Sequence, residues 1–142
     1  MKRLISTPLS LRQLRCLDFY KACRRAMLTE SCPSVSRLVE KVAAEPAPSY
    51  YVEYTTARRT LTRVRKKQIM PYGGRGFGAI YAELFRRCMA EKVRCGVSDS
   101  QALARVLCEG NASCWFMSGQ SARSSYYAGR SLYRRLAVNE AA

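Results

Sequence analysis

The stretch EPAPSYYVEYTTARRTLTRVRK, residues 45–66, decides the fold that the sequence predicts. Its two prolines push the residue before each of them into extended backbone, so the beginning of the stretch cannot be helical. Further on, apolar residues such as Ala57 and Leu61 recur at helical spacing among basic residues. The stretch therefore predicts a short extended segment at 49–52 that leads directly into a basic helix at 54–67.

Five more helices are predicted around this one from apolar periodicity and capping signals. Ser10 and Ser98 are each followed three residues later by a glutamine, which is the spacing of a capping box at a helix start. Gly110 and Asn111 are typical of a helix end. The helices are predicted at about 10–28, 34–44, 77–94, 98–109 and 118–136. The expected fold class is all-α.

A shift of 65 residues places the second half of the sequence on the first. Ala47 then meets Ala112, and the aromatic segment at 50–52 meets the one at 115–117. Identity between the halves is low, and the basis of the comparison is the shared order of long helix, short helix, aromatic segment and basic helix. The hypothesis is an internal repeat, with possible extended segments at 49–52 and 114–117. The alternative is two helical halves with generic patterning.

The repeat hypothesis also predicts how the chain is divided. The first three-helix unit is expected at 1–70 and the second at 79–142, with a glycine-rich linker at 71–78 between them. Packing of the two tandem units as one domain is compatible with this division. The linker is read as a flexible connection, since its glycines match neither a Walker A loop nor a dinucleotide-binding fingerprint.

The charge of the chain points to a polyanionic partner. Twenty-five Lys and Arg stand against 10 Asp and Glu, which gives a formal net charge of +15, and 19 of the basic residues are arginine. Such a charge opposes compaction through self-repulsion. The planar guanidinium group of arginine can donate two hydrogen bonds at once to phosphate oxygens. With 48% hydrophobic residues the chain is otherwise ordinary for a globular protein.

The basic residues concentrate where acidic residues are absent. No acid occurs from Tyr54 to Ala82 or from Gly110 to Asn139, and these stretches contain the predicted helices at 54–67 and 118–136. Serine and threonine side chains on the same helices add short hydrogen-bond donors. We expect nucleic acid to contact Arg58, Arg59, Arg63, Arg65, Lys66, Lys67, Arg75, Arg123, Arg130, Arg134 and Arg135. The alternative is a basic face that only interacts with solvent.

The segment VEYTTARRTLTRVRK, residues 52–66, resembles the recognition helix of helix-turn-helix DNA-binding proteins, with Ala57 at the packed position and the arginines outward. The resemblance lies at the level of the fold. The unit PAPSYYV followed by TARR also looks like small basic proteins of prophages and mobile elements. The resemblance implies a protein that binds double-stranded DNA. We expect it to be non-enzymatic, because its cysteines lack a histidine base and no other catalytic candidate is recognisable. An RNA-bound structural component of a ribonucleoprotein or phage particle is the alternative.

The absence of histidine and the spacing of the cysteines exclude several classes of enzyme and metal site. The chain has no histidine, so it holds no Ser-His-Asp triad, no Cys-His pair and no histidine-ligated metal. None of its seven cysteines forms a CxxC pair, and no bound metal or other cofactor is expected. We expect buried thiols, a cytoplasmic protein and no membrane partner, because neither a signal peptide nor a membrane span is recognisable. A homodimer is compatible with these expectations. Tyr50, Tyr51 and Trp115 are interpreted as core residues, with base stacking as the alternative.

Overall fold

The computed structural model of the chain describes residues 8–29, 31, 34–67 and 77–141, and these residues form an all-α fold. The helices are α1 (Leu11–Thr29), α2 (Val35–Ala43), α3 (Tyr54–Lys67), α4 (Phe77–Cys95), α5 (Asp99–Glu109) and α6 (Gly119–Ala141). Their bounds lie within two residues of the predicted ones except at the end of α6, which continues five residues beyond Leu136. None of the described helices is long and apolar enough to cross a membrane.

The predicted capping boxes are both present. The backbone N–H of Gln13 donates to the hydroxyl of Ser10 at 3.1 Å, and the N–H of Ser10 donates to the side chain of Gln13 at 3.0 Å. Ser98 and Gln101 make the same reciprocal pair at the start of α5. The end of α5 is also as predicted, because Gly110 adopts a left-handed φ of 71° that stops the helix.

The helices assemble into two compact units that differ from the predicted division at 71–78. One unit consists of α1, α2 and α6, from residues 1–43 and 119–142, and the other consists of α3, α4 and α5, from residues 44–118. Each unit takes its third helix from the opposite half of the chain. Apolar stripes on α3 and α6 specify that these helices pack, but not on which partner. The predicted linker itself lies mostly outside the described residues.

The unit of α1, α2 and α6 is built on a close approach of two helices. Phe19 and Cys23 of α1 are fully buried, and Leu38 and Val39 of α2 pack into the same unit with 1% exposure or less. A Cβ atom on Gly129 of α6 would lie far inside van der Waals contact of the Cys16 carbonyl oxygen. Only glycine at this position lets α6 approach α1 so closely.

The unit of α3, α4 and α5 has its own core. Tyr81 and Leu84 of α4 and Leu103 of α5 are almost completely buried, and Ala57 is the buried residue of α3. Burial of four such side chains supplies the hydrophobic stabilisation that a short helix such as α3 lacks in isolation. The predicted packed position of Ala57 is therefore confirmed.

Two aromatic segments, residues 47–52 and 111–117, lie side by side within this second unit. Ala47 and Ala112 form an isolated antiparallel bridge, with N···O distances of 3.1 and 2.9 Å. Tyr50 stacks on Phe116, and Tyr51 stacks on Trp115 at a ring-centroid distance of 5.8 Å.

These segments do not form the short strands that the sequence left open. Tyr51 and Phe116 have left-handed φ values of 55° and 54°, which interrupts any strand pairing after one bridge. Tyr50 and Trp115 are 4% and 3% exposed, so the interpretation of both as core residues is confirmed. The bridge and the two left-handed residues all keep the 65-residue spacing of the repeat hypothesis, which stays a prediction.

Candidate nucleic-acid interface

The basic residues of α3 lie on its solvent-exposed face. Arg58, Arg59, Arg63 and Lys66 are all exposed, whereas Ala57 on the other face is buried. With Thr55 and Thr62 these four residues line an open surface groove of about 530 Å³. We call this surface the α3 face. No acidic residue of the described chain lines the groove, so its potential is positive along its length.

Packing within its unit holds the α3 face outward. The helix contacts α4 and α5, and the hydroxyl of Tyr54 donates to the backbone oxygen of Ser100 at 3.2 Å. The short helix that packs on α3 is thus α5. In a helix-turn-helix the short helix directly precedes the recognition helix. In this chain the preceding helix, α2, belongs to the unit of α1 and α6. The arrangement therefore differs from the expected motif.

Arg65, one of the predicted contact residues, is engaged by an acidic side chain instead. Its guanidinium forms an ion pair with Asp99 at the start of α5, and Lys92 lies 2.7 Å from the same carboxylate. The hydrogen bond from Lys92, with the charge of Arg65, lowers the pKa of Asp99. These charges tie α3, α4 and α5 together at one end, and Arg65 is not among the residues that line the α3 face.

The threonines of α3 contribute fewer donors than the sequence suggests. The hydroxyl of Thr60 donates to the backbone oxygen of Thr56, and that of Thr62 donates to the backbone oxygen of Arg58, both at 2.9 Å. Such back-bonding uses the hydroxyl proton within the helix. The cations therefore dominate the chemistry of the α3 face.

The arginines predicted on α6 do not form a single groove. Arg130 lies over the ring of Tyr127 at 5.8 Å, Arg123 is half-buried, and Arg134 and Arg135 are exposed near the end of the helix. Of the remaining predicted residues, Arg75 lies outside the described residues, and only the helical backbone of Lys67 is described. The structure thus brings together the α3 residues and leaves the α6 residues spread around their helix.

A second basic groove lies between α1 and α6, and the sequence did not predict it. It has a volume of about 440 Å³ and is lined by Arg12, Arg15, Cys16, Gln120, Ser121, Ser124, Ser125 and Ala128. We call it the α1–α6 groove. No sequence signal indicates it, because its two walls are more than 100 residues apart and meet only through the observed pairing of α1 with α6.

The glutamates of α4 have structural partners. Glu83 accepts hydrogen bonds from the Tyr50 hydroxyl at 2.5 Å and from the backbone and side chain of Ser113. Arg87 donates to the same Tyr50 hydroxyl at 2.6 Å and to the backbone oxygen of Asn111 at 3.0 Å. Glu83 and its partners therefore fasten both aromatic segments to α4.

Glu91 is held in a similar way. Its side chain is only 7% exposed and lies 2.6 Å from Arg94 and 3.6 Å from Arg105. The hydrogen bond from Arg94 lowers the pKa of Glu91. The carboxylate is therefore a charged member of the contact between α4 and α5.

The titration of Glu83 gives a testable pH dependence. Burial alone would raise the pKa of Glu83, but the hydrogen bonds from Ser113 and Tyr50 outweigh it and lower the pKa below 4.5. A carboxylate with a lowered pKa stabilises the fold above its unfolded-state pKa, and this contribution disappears as the pH falls further. We expect Glu83→Gln to lower the free energy of unfolding by about 1–2 kcal/mol at pH 7.

The difference between Glu83→Gln and the natural protein should shrink when urea unfolding is repeated at successively lower pH below 4.5. Glu45→Gln is the matched control, since Glu45 is an exposed glutamate of the same unit. An equal effect of both substitutions, or a difference that stays constant with pH, would contradict the role assigned to Glu83.

Among the residues that the structure describes, no three Cys, Asp or Glu side chains come together as a metal site.

Comparisons with known proteins do not identify the site, so it is interpreted from its geometry. No family model, no curated protein and no solved structure matches the chain.

Proposed function

We propose that this is a non-enzymatic nucleic-acid-binding protein and that its partner is double-stranded DNA. The observation that carries the proposal is the α3 face: four cationic side chains on one exposed groove, on a helix without a single acidic residue. A basic face on a helix whose other side packs on its unit through Ala57 is the electrostatic footprint of phosphate binding.

The dimensions of the α3 face favour duplex DNA. An α-helix with its side chains is about 10–12 Å in diameter, and the stretch of α3 from Arg58 to Lys66 is roughly 12 Å long. A single α-helix fits the major groove of B-DNA, which is about 12 Å wide. The major groove of an RNA duplex is too narrow for side chains to read. We therefore propose that α3 lies in or along the major groove and that its arginines contact phosphates and base edges.

The proposal predicts the effect of removing the charge of the α3 face. Replacing Arg58, Arg59 and Arg63 with alanine should leave α3 helical, because alanine is the best helix former. Each phosphate contact that is lost should lower the slope of log affinity against log salt by about one unit, so that the triple variant loses about two to three units. The measurement is a salt titration of binding to duplex DNA, single-stranded DNA and structured RNA in parallel.

A matched control removes equal charge elsewhere. Lys21, Arg25 and Arg37 are exposed residues of the other unit, and their replacement by alanine changes the net charge by the same amount. Equal loss of slope in both triple variants would mean diffuse charge attraction and would refute the α3 face as the site. Tighter binding to RNA than to duplex DNA would favour the alternative, an RNA-bound structural protein.

A further inference from the structure

The α1–α6 groove combines the features of a site for an anionic group. One wall is α1, where Arg12 and Arg15 are one helical turn apart on the same face. The opposite wall is α6, where serines at 121, 124 and 125 follow the helical spacing of a single face. The two walls belong to the same compact unit.

The depth of the groove follows from the packing of its two helices. Gly129 brings the α6 backbone against Cys16 and Tyr20 of α1, directly beside the groove. Cys16 is 8% exposed and forms part of the floor. The volume of about 440 Å³ lies within the range of roughly 300–1,000 Å³ that is typical of small-molecule sites.

The lining chemistry selects a phosphate. Guanidinium groups bind phosphate oxygens with two parallel hydrogen bonds, and hydroxyl and amide groups donate to the remaining oxygens. The described residues that line the groove include two arginines, three serines and a glutamine but no acidic residue. In the sequence, no acid precedes Asp18, and none occurs between Gly110 and Asn139. A cation would find no acidic group in this lining, and only Cys16 and Ala128 offer an apolar surface.

We infer that the α1–α6 groove binds a phosphate of the nucleic-acid backbone and so provides a second contact surface, separate from the α3 face. The inference rests on the proposed function, because it takes the polyanion bound by α3 as the source of the phosphate. Arg12 and Arg15 bind the phosphate oxygens, and the serine hydroxyls of α6 complete the site. The nucleic acid is thereby contacted by both compact units of the chain.

The test uses the full chain and a duplex DNA probe in a salt titration. Arg12→Gln combined with Arg15→Gln should lower the salt slope by about one to two units, since each neutralised phosphate contributes about 0.9. The control is Lys21→Gln with Arg25→Gln. Both control residues are exposed on α1 and the change in charge is identical, but Lys21 lies roughly 180° and Arg25 roughly 140° around the helix from Arg12. The control should leave the slope nearly unchanged.

A second variant distinguishes a loss of binding from a loss of folding. Ser124 is exposed, and Ser124→Glu introduces a carboxylate into the groove without removing a buried group. It should weaken DNA binding through repulsion while the circular dichroism spectrum stays that of the natural protein. In addition, bound DNA should protect Arg12 and Arg15 from the arginine reagent phenylglyoxal, as read by peptide mass mapping.

The outcomes separate this inference from the proposed function. If the groove variants behave like the control while the α3 variant loses slope, the groove site is refuted and the α3 site stands. If the groove variants lose slope and the α3 variant does not, the groove is the interface and the α3 site is refuted. If the natural protein binds none of the nucleic acids, both the proposed function and the groove site are refuted.

Discussion

Replacement of Gly129 by alanine is expected to cause the largest loss of stability of any single substitution considered for this chain. The new methyl group would collide with the backbone carbonyl of Cys16 and would lie 2.7 Å from the Cβ atom of Tyr20. Neither atom belongs to the flexible end of a side chain, so α6 must move away from α1 as a whole. Overpacking costs about 1–3 kcal/mol, and more when the backbone cannot relax. Total stabilities are only about 5–15 kcal/mol.

Urea unfolding followed by circular dichroism measures this effect, and Gly119→Ala is the matched control. Gly119 lies at the start of the same helix, and a Cβ there would be 3.6 Å from its nearest neighbour, the carboxylate of Glu40. That substitution should leave stability close to that of the natural protein. A Gly129→Ala variant as stable as Gly119→Ala would show that the close approach of α1 and α6 does not exist in solution.

The close approach at Gly129 is an example of a feature that could not be predicted from the sequence. Helix bounds, both capping boxes and the buried position of Ala57 could be predicted because they depend on residues within a few positions of one another. The partner of a helix depends on the whole chain instead. An apolar stripe on α6 fits α4 and α5 or α1 and α2 equally well by pattern, and only the structure shows that it packs on α1 and α2.

The candidate site, too, was predictable from the sequence only in part. The outward face of α3 was predictable, because its cations and its apolar stripe follow one helical period. The ion pair of Arg65 with Asp99 joins residues 34 positions apart and needed the structure. The α1–α6 groove was not predictable at all, since it arises from two helices that neither charge pattern nor spacing connects.

The repeat hypothesis stays a prediction, but the structure changes its form. If the halves are related, the relation includes an exchange: α3 packs on α4 and α5 of the second half, and α6 packs on α1 and α2 of the first. The exchange is reciprocal, and the contacts of Ala47 with Ala112 keep the same 65-residue spacing. This arrangement argues against two tandem units that fold independently.

Separate fragments of residues 1–70 and 71–142 are expected to be largely unfolded alone and to become helical when mixed. The first fragment holds α1 and α2 without α6, and it holds α3 without α4 and α5. The second fragment lacks the corresponding partners. The short helices α2, α3 and α5 are marginal in water because nucleation is costly, and the longer helices lose the packing of their apolar faces, which supplies most of the stability of a helix in a protein. Circular dichroism of each fragment, compared with that of an equimolar mixture, measures the gain.

The mixture should recover most of the helix signal of the intact chain, because both units take helices from both fragments. A second fragment that carries Gly129→Ala is the sharpest control. It should still supply α4 and α5 to α3 but fail to pack α6 on α1 and α2, so that only part of the signal returns. If each fragment folded by itself and mixing added nothing, the chain would consist of two independent sequence halves. The exchange of α3 and α6 would then be refuted.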